Sequence, residues 1–133
     1  MAEGGCHCGA VRFEVTGAPG RVAICHCADC RRHAGAPMVA WAIVGEDQLR
    51  VTRGELAVYA SSEHARRFFC PACGTGMFYR NPEYFTDRVD IQVAAMDDPD
   101  VYRPTLQVQV AERIGWMETA HALPAHARFP EGA

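Results

Sequence analysis

Seven cysteines in three short groups constrain this chain more than any other feature of its sequence. They lie in the segments Cys6 to Cys8, Cys25 to Cys30 and Cys70 to Cys73. An odd number cannot all pair in disulfides, and the first five residues have neither the basic nor the apolar stretch of a secretory signal. We therefore expect a cytoplasmic protein with reduced thiols, in which the cysteines bind metal.

The first and third cysteine groups each have the spacing of half a tetrahedral site. Cys6 and Cys8 are two residues apart, so both thiols can face one ion from an extended or gently turned backbone. Cys70 and Cys73 enclose two residues and precede Gly74, which is the pattern of a tight metal-binding turn. The four thiolates are predicted to hold a closed, structural zinc ion.

The middle group supplies three cysteines, one fewer than a closed tetrahedral site needs. Cys25, Cys27 and Cys30 lie within six residues and can occupy one face of a second zinc ion, which makes two zinc ions per chain. Three ligands leave the fourth position to a ligand from outside, as in catalytic zinc sites. The alternative is a closed structural site completed by His26 or by His33, which could reach back along a helical turn.

An open site with three thiolates favours thiol chemistry. Three anionic sulfurs make zinc a weaker activator of water than three neutral imidazoles would. Zinc also lowers the pKa of a bound thiol, so a small thiol substrate could be held as its thiolate. Arg31, directly after Cys30, is predicted to contact a substrate carboxylate. Asp29, His33 and water are the alternatives for proton transfer.

Short apolar, β-branched or aromatic runs between turn residues predict a mostly β domain that covers residues 1–133. A short helix is predicted over Ala28 to Ala34 and a shorter one over Pro82 to Phe85. The predicted strands are Ala10 to Val15, Arg21 to Cys25, Met38 to Val44, Leu49 to Thr52, Leu56 to Ala60, Arg66 to Cys70, Gly76 to Arg80, Val89 to Ala95 and Leu106 to Glu112.

Charge and hydropathy argue against two classes of partner. No stretch approaches the length of a membrane span, and the formal net charge of −3 with no long basic run argues against a nucleic-acid partner. The sequence does not indicate an oligomeric state.

Three motifs closely resemble the glutathione-dependent formaldehyde-activating enzyme family, which also contains centromere protein V. They are Gly5-Cys6-His7-Cys8-Gly9, Cys25-His26-Cys27-Ala28-Asp29-Cys30-Arg31 and Phe69-Cys70-Pro71-Ala72-Cys73-Gly74. The resemblance implies a β-tent-like arrangement of small antiparallel sheets, a structural zinc on the outer cysteine pairs and a second zinc on the middle three. It also implies a carbon–sulfur lyase whose prototype joins formaldehyde to glutathione as S-hydroxymethylglutathione.

The sequence departs from that family near its end. Family members often carry a histidine after a Pro-Thr pair, where this chain has Pro104-Thr105-Leu106-Gln107. Glutathione itself is therefore an open choice among small thiols. The alternative hypothesis, from a different class, is a non-catalytic, zinc-stabilised module that binds protein or nucleic acid.

Overall fold

Ten β-strands and one α-helix form within residues 1–132, the part of the chain that the computed structural model describes. The predicted single domain also includes Ala133, which lies outside the described residues. The helix, α1, spans Ala28–Ala34. The strands are β1 (Ala2–Gly5), β2 (Arg12–Val15), β3 (Val22–Cys25), β4 (Val39–Gly45), β5 (Leu49–Arg53), β6 (Ala57–Ala60), β7 (Arg66–Phe69), β8 (Gly76–Arg80), β9 (Arg88–Gln92) and β10 (Leu106–Val108).

The strands form two sheets. A three-stranded sheet has the order β1-β2-β5, and a seven-stranded sheet has the order β10-β3-β4-β9-β8-β7-β6. All the strand pairs in the two sheets are antiparallel except β10 with β3, which is parallel. The predicted mostly β fold with antiparallel sheets is confirmed, and the parallel pair is a feature that the sequence did not indicate.

Two predicted strands end earlier than their apolar patterns. The strand from Leu106 stops at Val108 because Gln109 adopts a left-handed conformation with φ of 57°, after which Val110–Glu112 form a 3-10 turn. The strand over Val89 to Ala95 likewise becomes a 3-10 turn at Val93–Ala95. Apolar periodicity alone does not report where the backbone turns.

Two further differences concern short segments. The strand β1 was not predicted, since Ala-Glu-Gly-Gly has no apolar alternation, yet it pairs along its whole length with β2. The segment Pro82 to Phe85 forms turns, in which the Phe85 amide donates to the Asn81 carbonyl at 2.8 Å, so the short helix predicted there was wrong.

Each of the two cysteine sites contributes buried cysteines to an apolar cluster. Cys6 and Cys70 belong to the main core, where Phe13 and Phe78 meet edge to face with centroids 4.9 Å apart. A second cluster contains Cys25, Cys30, Val39 and Trp41. Packing in these clusters therefore helps to orient the buried cysteines of each group.

Secondary structure brings the cysteines to the ends of elements. β3 ends at Cys25, and Cys27 is the N-terminal cap of α1. The turn between β7 and β8 carries Cys70 to Cys73, and within it the Gly74 amide donates to the Cys70 carbonyl at 2.8 Å. Gly74 has a φ of 84°, a conformation that glycine adopts without strain.

Substituting Gly54 should test how tightly the first cysteine turn is packed. Gly54 has a φ of 77°, and a Cβ there would collide with the backbone carbonyl of Ala10, two residues after Cys8. We expect Gly54→Ala to lower the free energy of unfolding by about 2–3 kcal/mol, measured by chemical denaturation. Gly115→Ala is the control, because its Cβ would meet open space. Equal stability of both variants would contradict this packing.

In residues 1–132 no helix combines the length and the apolar character that crossing a membrane requires.

Candidate metal centres and active-site cavity

The outer cysteine pairs converge on one point. The Sγ atoms of Cys6, Cys8, Cys70 and Cys73 all lie within 4.8 Å of one another. The Cys6 and Cys8 sulfurs are 3.6 Å apart and those of Cys8 and Cys70 are 3.9 Å apart. Tetrahedral zinc with bonds of about 2.3 Å requires sulfurs about 3.8 Å apart. This group therefore fits a closed four-thiolate metal site.

Local hydrogen bonds orient these sulfurs. The Val11 amide donates to the Cys6 Sγ at 3.2 Å, and the Val11 carbonyl accepts from the Cys6 amide. The Thr75 hydroxyl lies 3.2 Å from the Cys73 Sγ, and this contact is the main cause that lowers the pKa of Cys73 to about 5. Such donors stabilise the thiolate form that a metal requires.

The middle cysteines converge on a second point. The Sγ atoms of Cys25, Cys27 and Cys30 lie within 4.8 Å of one another. The Cys27 Sγ accepts from the Cys30 amide at 3.4 Å and so caps α1, which turns Cys30 toward its two partners. Cys25 and Cys30 are buried and Cys27 is half-buried. This geometry also fits a metal, with three protein ligands.

The three thiols of this group have different affinities for protons. Hydrogen bonding with Cys25 is the largest cause that lowers the pKa of Cys30 to about 5, and Arg67 lowers it further. The same contact raises the pKa of Cys25, and burial raises the pKa of Cys27. Cys30, whose sulfur lies next to Arg67, therefore has the lowest pKa of the three thiols.

Neither histidine proposed as a fourth ligand lies with these sulfurs. Among residues 1–132, no further Cys, His, Asp or Glu joins the three-cysteine group. His26 is 1% exposed and its Nε2 is paired at 2.7 Å with the Gln107 Oε1. His33 stacks on Tyr59 with centroids 6.0 Å apart and lines a separate hollow beside Cys6. The structure gives no support to a site closed by either histidine.

A cavity of about 260 Å³ opens at the three cysteines. Trp41 and Tyr79 contribute aromatic walls, with ring centroids 6.0 Å apart. Three arginines, Arg21, Arg67 and Arg88, also line it. Two carboxylates, Asp29 and Asp90, line it as well, and Asp90 is paired with Arg88. The apolar wall and the Arg67 guanidinium beside the Cys30 sulfur suit a small anionic ligand.

Arg67 is a site residue that the sequence reasoning missed. It is 5% exposed, and its guanidinium nitrogens lie 3.8 and 3.9 Å from the Cys30 Sγ. Its Nε donates to the Ser61 Oγ at 3.1 Å, and its guanidinium carbon lies 4.9 Å from the centre of the Tyr79 ring. Position 67 is the buried place in β7, and the strand sequence Arg-Arg-Phe-Phe has no alternation that singles it out.

Arg31 and Asp29 occupy different places. The Arg31 Nε donates to the His26 carbonyl at 3.1 Å and its terminal nitrogen donates to the Glu112 carbonyl at 3.4 Å. Arg31 is therefore not brought into the cavity with the three cysteines, whereas Asp29 lines it. The substrate contact predicted for Arg31 has no counterpart in this arrangement.

Two cysteine clusters, one of four with the spacing of a tetrahedral site and one of three that faces a cavity, define a class of small β proteins equipped to bind metal. A family model described as "Glutathione-dependent formaldehyde-activating enzyme" matches residues 1–112. The chain belongs to this glutathione-dependent formaldehyde-activating enzyme family, and the resemblance seen in its motifs is confirmed.

Related proteins agree with this membership. A protein of Schizosaccharomyces pombe named as an uncharacterized lyase is 30% identical over 115 residues, covering 75% of this chain and 82% of the relative. A putative glutathione-dependent formaldehyde-activating enzyme of Halomonas elongata is 28% identical over 128 residues, covering 89% and 80%. The prediction of an enzyme of the lyase class is confirmed at this level.

The fold also has a solved relative. A crystal structure of a Rhodobacter sphaeroides protein superimposes with a TM-score of 0.65 at 27% identity. The match covers 80% of this chain and 99% of the other. The β architecture is thus shared over most of the chain.

Proposed function

We propose that this protein is a zinc-dependent carbon–sulfur lyase that acts on a thiol adduct such as S-hydroxymethylglutathione. The single observation that carries this proposal is the three-cysteine group, which faces a cavity and has no fourth ligand from residues 1–132. Family membership supports the reaction class, and the name of the Halomonas elongata relative supports glutathione as the thiol.

The two cysteine clusters have different roles in this proposal, one structural and one catalytic. Cys6, Cys8, Cys70 and Cys73 hold a structural zinc, and Cys25, Cys27 and Cys30 hold a catalytic zinc. A bound zinc would supply a Lewis acid that keeps the substrate sulfur as its thiolate near neutral pH. In the synthetic direction, that sulfur forms a bond to the carbon of formaldehyde, and the carbonyl oxygen takes up a proton to become a hydroxyl.

The residues around the cavity have separate roles. Trp41 and Tyr79 restrict the space available to water beside the sulfur. Asp29 lies in the cavity wall and is exposed, so it can exchange a proton between the adduct hydroxyl and solvent. Arg21, exposed at the cavity wall, is the better placed group for a substrate carboxylate. Arg31 instead supports the ligand loop through the His26 carbonyl.

Metal analysis and thiol titration test the proposal. We expect about two zinc ions per chain, and in the cobalt-substituted protein we expect added glutathione, cysteine or 2-mercaptoethanol to change the metal's absorption. The unsubstituted zinc protein should accelerate formation of S-hydroxymethylglutathione, followed by nuclear magnetic resonance. A single zinc, or a spectrum that no thiol alters, would contradict the open site.

The identity of the thiol requires a comparison within that titration. Glutathione, cysteine and 2-mercaptoethanol share the sulfur and differ in their carboxylates. We expect glutathione to bind more tightly than 2-mercaptoethanol, and Arg21→Gln to reduce that difference. Equal affinity for all three thiols would retain the lyase chemistry and remove glutathione as the preferred substrate.

A further inference from the structure

Arg67 has no acidic partner in residues 1–132, although it is almost completely buried. The other cavity arginine that is partly buried, Arg88, is paired with Asp90 at 2.8 Å. An unpaired buried guanidinium is costly, because it has lost water without gaining an anion. Of the two carboxylates on the cavity wall, Asp90 is engaged by Arg88 and Asp29 is exposed, so the Cys30 sulfur, 3.8 Å away, is the nearest anionic partner for Arg67.

The arrangement holds the Arg67 guanidinium in place from three sides. Ser61 accepts from its Nε, the Tyr79 ring lies beneath it, and the Cys30 sulfur accepts from its two terminal nitrogens. The guanidinium also lines the cavity, so its charge acts on any ligand that enters. Its orientation is set before a ligand arrives, and no ordering cost falls on binding.

The net charge of the metal site determines what Arg67 can do there. Three thiolates exceed a zinc dication by one negative charge, and a fourth thiolate would exceed it by two. Repulsion of that kind disfavours an anionic ligand in a site largely withdrawn from water. Arg67 offsets one of these charges at short range.

We infer that Arg67 is the specificity-determining counter-cation of the three-cysteine site, which makes the open position select an anionic ligand over a neutral one. This inference rests on the proposed function for the metal and the thiol, and extends it to the choice among ligands. Arg67 acts on the ligand's charge, without a requirement for a carboxylate on the substrate.

The test uses the cobalt-substituted full chain and three small probes. 2-Mercaptoethanol binds as a thiolate and has no carboxylate, azide is an anion without sulfur, and imidazole binds a metal in its neutral form. We expect Arg67→Gln to weaken binding of 2-mercaptoethanol and azide by about 10- to 100-fold, the usual effect of one close positive charge on an anion. Imidazole affinity should stay within about threefold, and the metal content should be unchanged.

Two further variants complete the experiment. Arg67→Lys keeps the charge and should retain the preference for azide over imidazole, with a smaller loss because the fork geometry is absent. Arg66→Gln removes the neighbouring charge, whose guanidinium donates to loop carbonyls including those of Ser62 and Glu63, and should bind all three probes as the wild type does.

The affinities of the variants for azide and imidazole decide whether Arg67 selects anionic ligands. Equal weakening of azide and imidazole in Arg67→Gln, or the same anion loss in Arg66→Gln, would overturn it. If Arg67→Gln does not fold, Arg67→Lys decides, since loss of the anion preference with charge retained would also overturn it. If the wild type binds azide and no thiol, the proposed function fails, and the azide and imidazole affinities still test Arg67.

Discussion

Substitution of Cys70 by serine should leave the chain largely unfolded at ambient temperature. Cys70 is fully buried, belongs to the main core and shares a metal-binding geometry with Cys6 and Cys8, more than sixty residues earlier in the chain. A metal at this site closes a long loop, and structural zinc contributes about 10 kcal/mol or more to small domains. That is comparable to the whole stability of a domain, about 5–15 kcal/mol.

Circular dichroism with thermal melting is the measurement for this variant, together with zinc content. Ala72→Ser is the matched control, since residue 72 is exposed in the same turn and introduces the same hydroxyl. A strong chelator added to the wild type should reproduce the loss of stability. If Cys70→Ser melts at the wild-type temperature, the four-cysteine site is not structural.

Substitution of Cys27 by serine should abolish lyase activity and preserve the fold. The three middle cysteines lie on one short segment, so their metal links no distant parts of the chain. Serine is also a good helix cap, and its hydroxyl can accept from the Cys30 amide as the Cys27 sulfur does. Removal of one of three ligands should lower the rate by about a thousandfold or more, because the Lewis acid contributes several kcal/mol.

The activity assay and the melting curve must be read together for this variant. We expect about one zinc per chain, a melting temperature within a few degrees of the wild type and no spectral response of the cobalt protein to thiols. Unfolding of Cys27→Ser to the same degree as Cys70→Ser would refute the division between a structural and a catalytic site. Wild-type activity in Cys27→Ser would place the chemistry elsewhere.

The cysteine spacing predicted which sulfurs lie together within each short group, because residues two or three positions apart are neighbours in a turn or helix cap. Cys25, Cys27 and Cys30 are held together by one strand end and one helix cap, and the predicted helix Ala28 to Ala34 agrees with α1 at both ends. The strand predicted over Gly76 to Arg80 agrees with β8 in the same way. Short-range hydrogen bonds decide these elements, so neighbouring residues contain the information.

The sequence could not show which arginine lies beside the three-cysteine group. Arg31 is next to a ligand in sequence, yet its guanidinium turns to the carbonyls of His26 and Glu112. Arg67 is 37 residues from Cys30 and reaches it only because the sheet brings β7 beside α1. His33 illustrates the same limit, since stacking on Tyr59 draws it away from the cysteine group.

The sequence by itself determined the mostly β fold, the family and the grouping of the seven cysteines into two candidate metal sites, because alternation, motifs and chelating spacing contain that information. Only the tertiary structure decided that the three-cysteine group faces a cavity, that neither His26 nor His33 lies with its sulfurs, and that Arg67 lies beside Cys30. These features depend on contacts between segments far apart in the chain, and the packing of the sheets and the helix creates them.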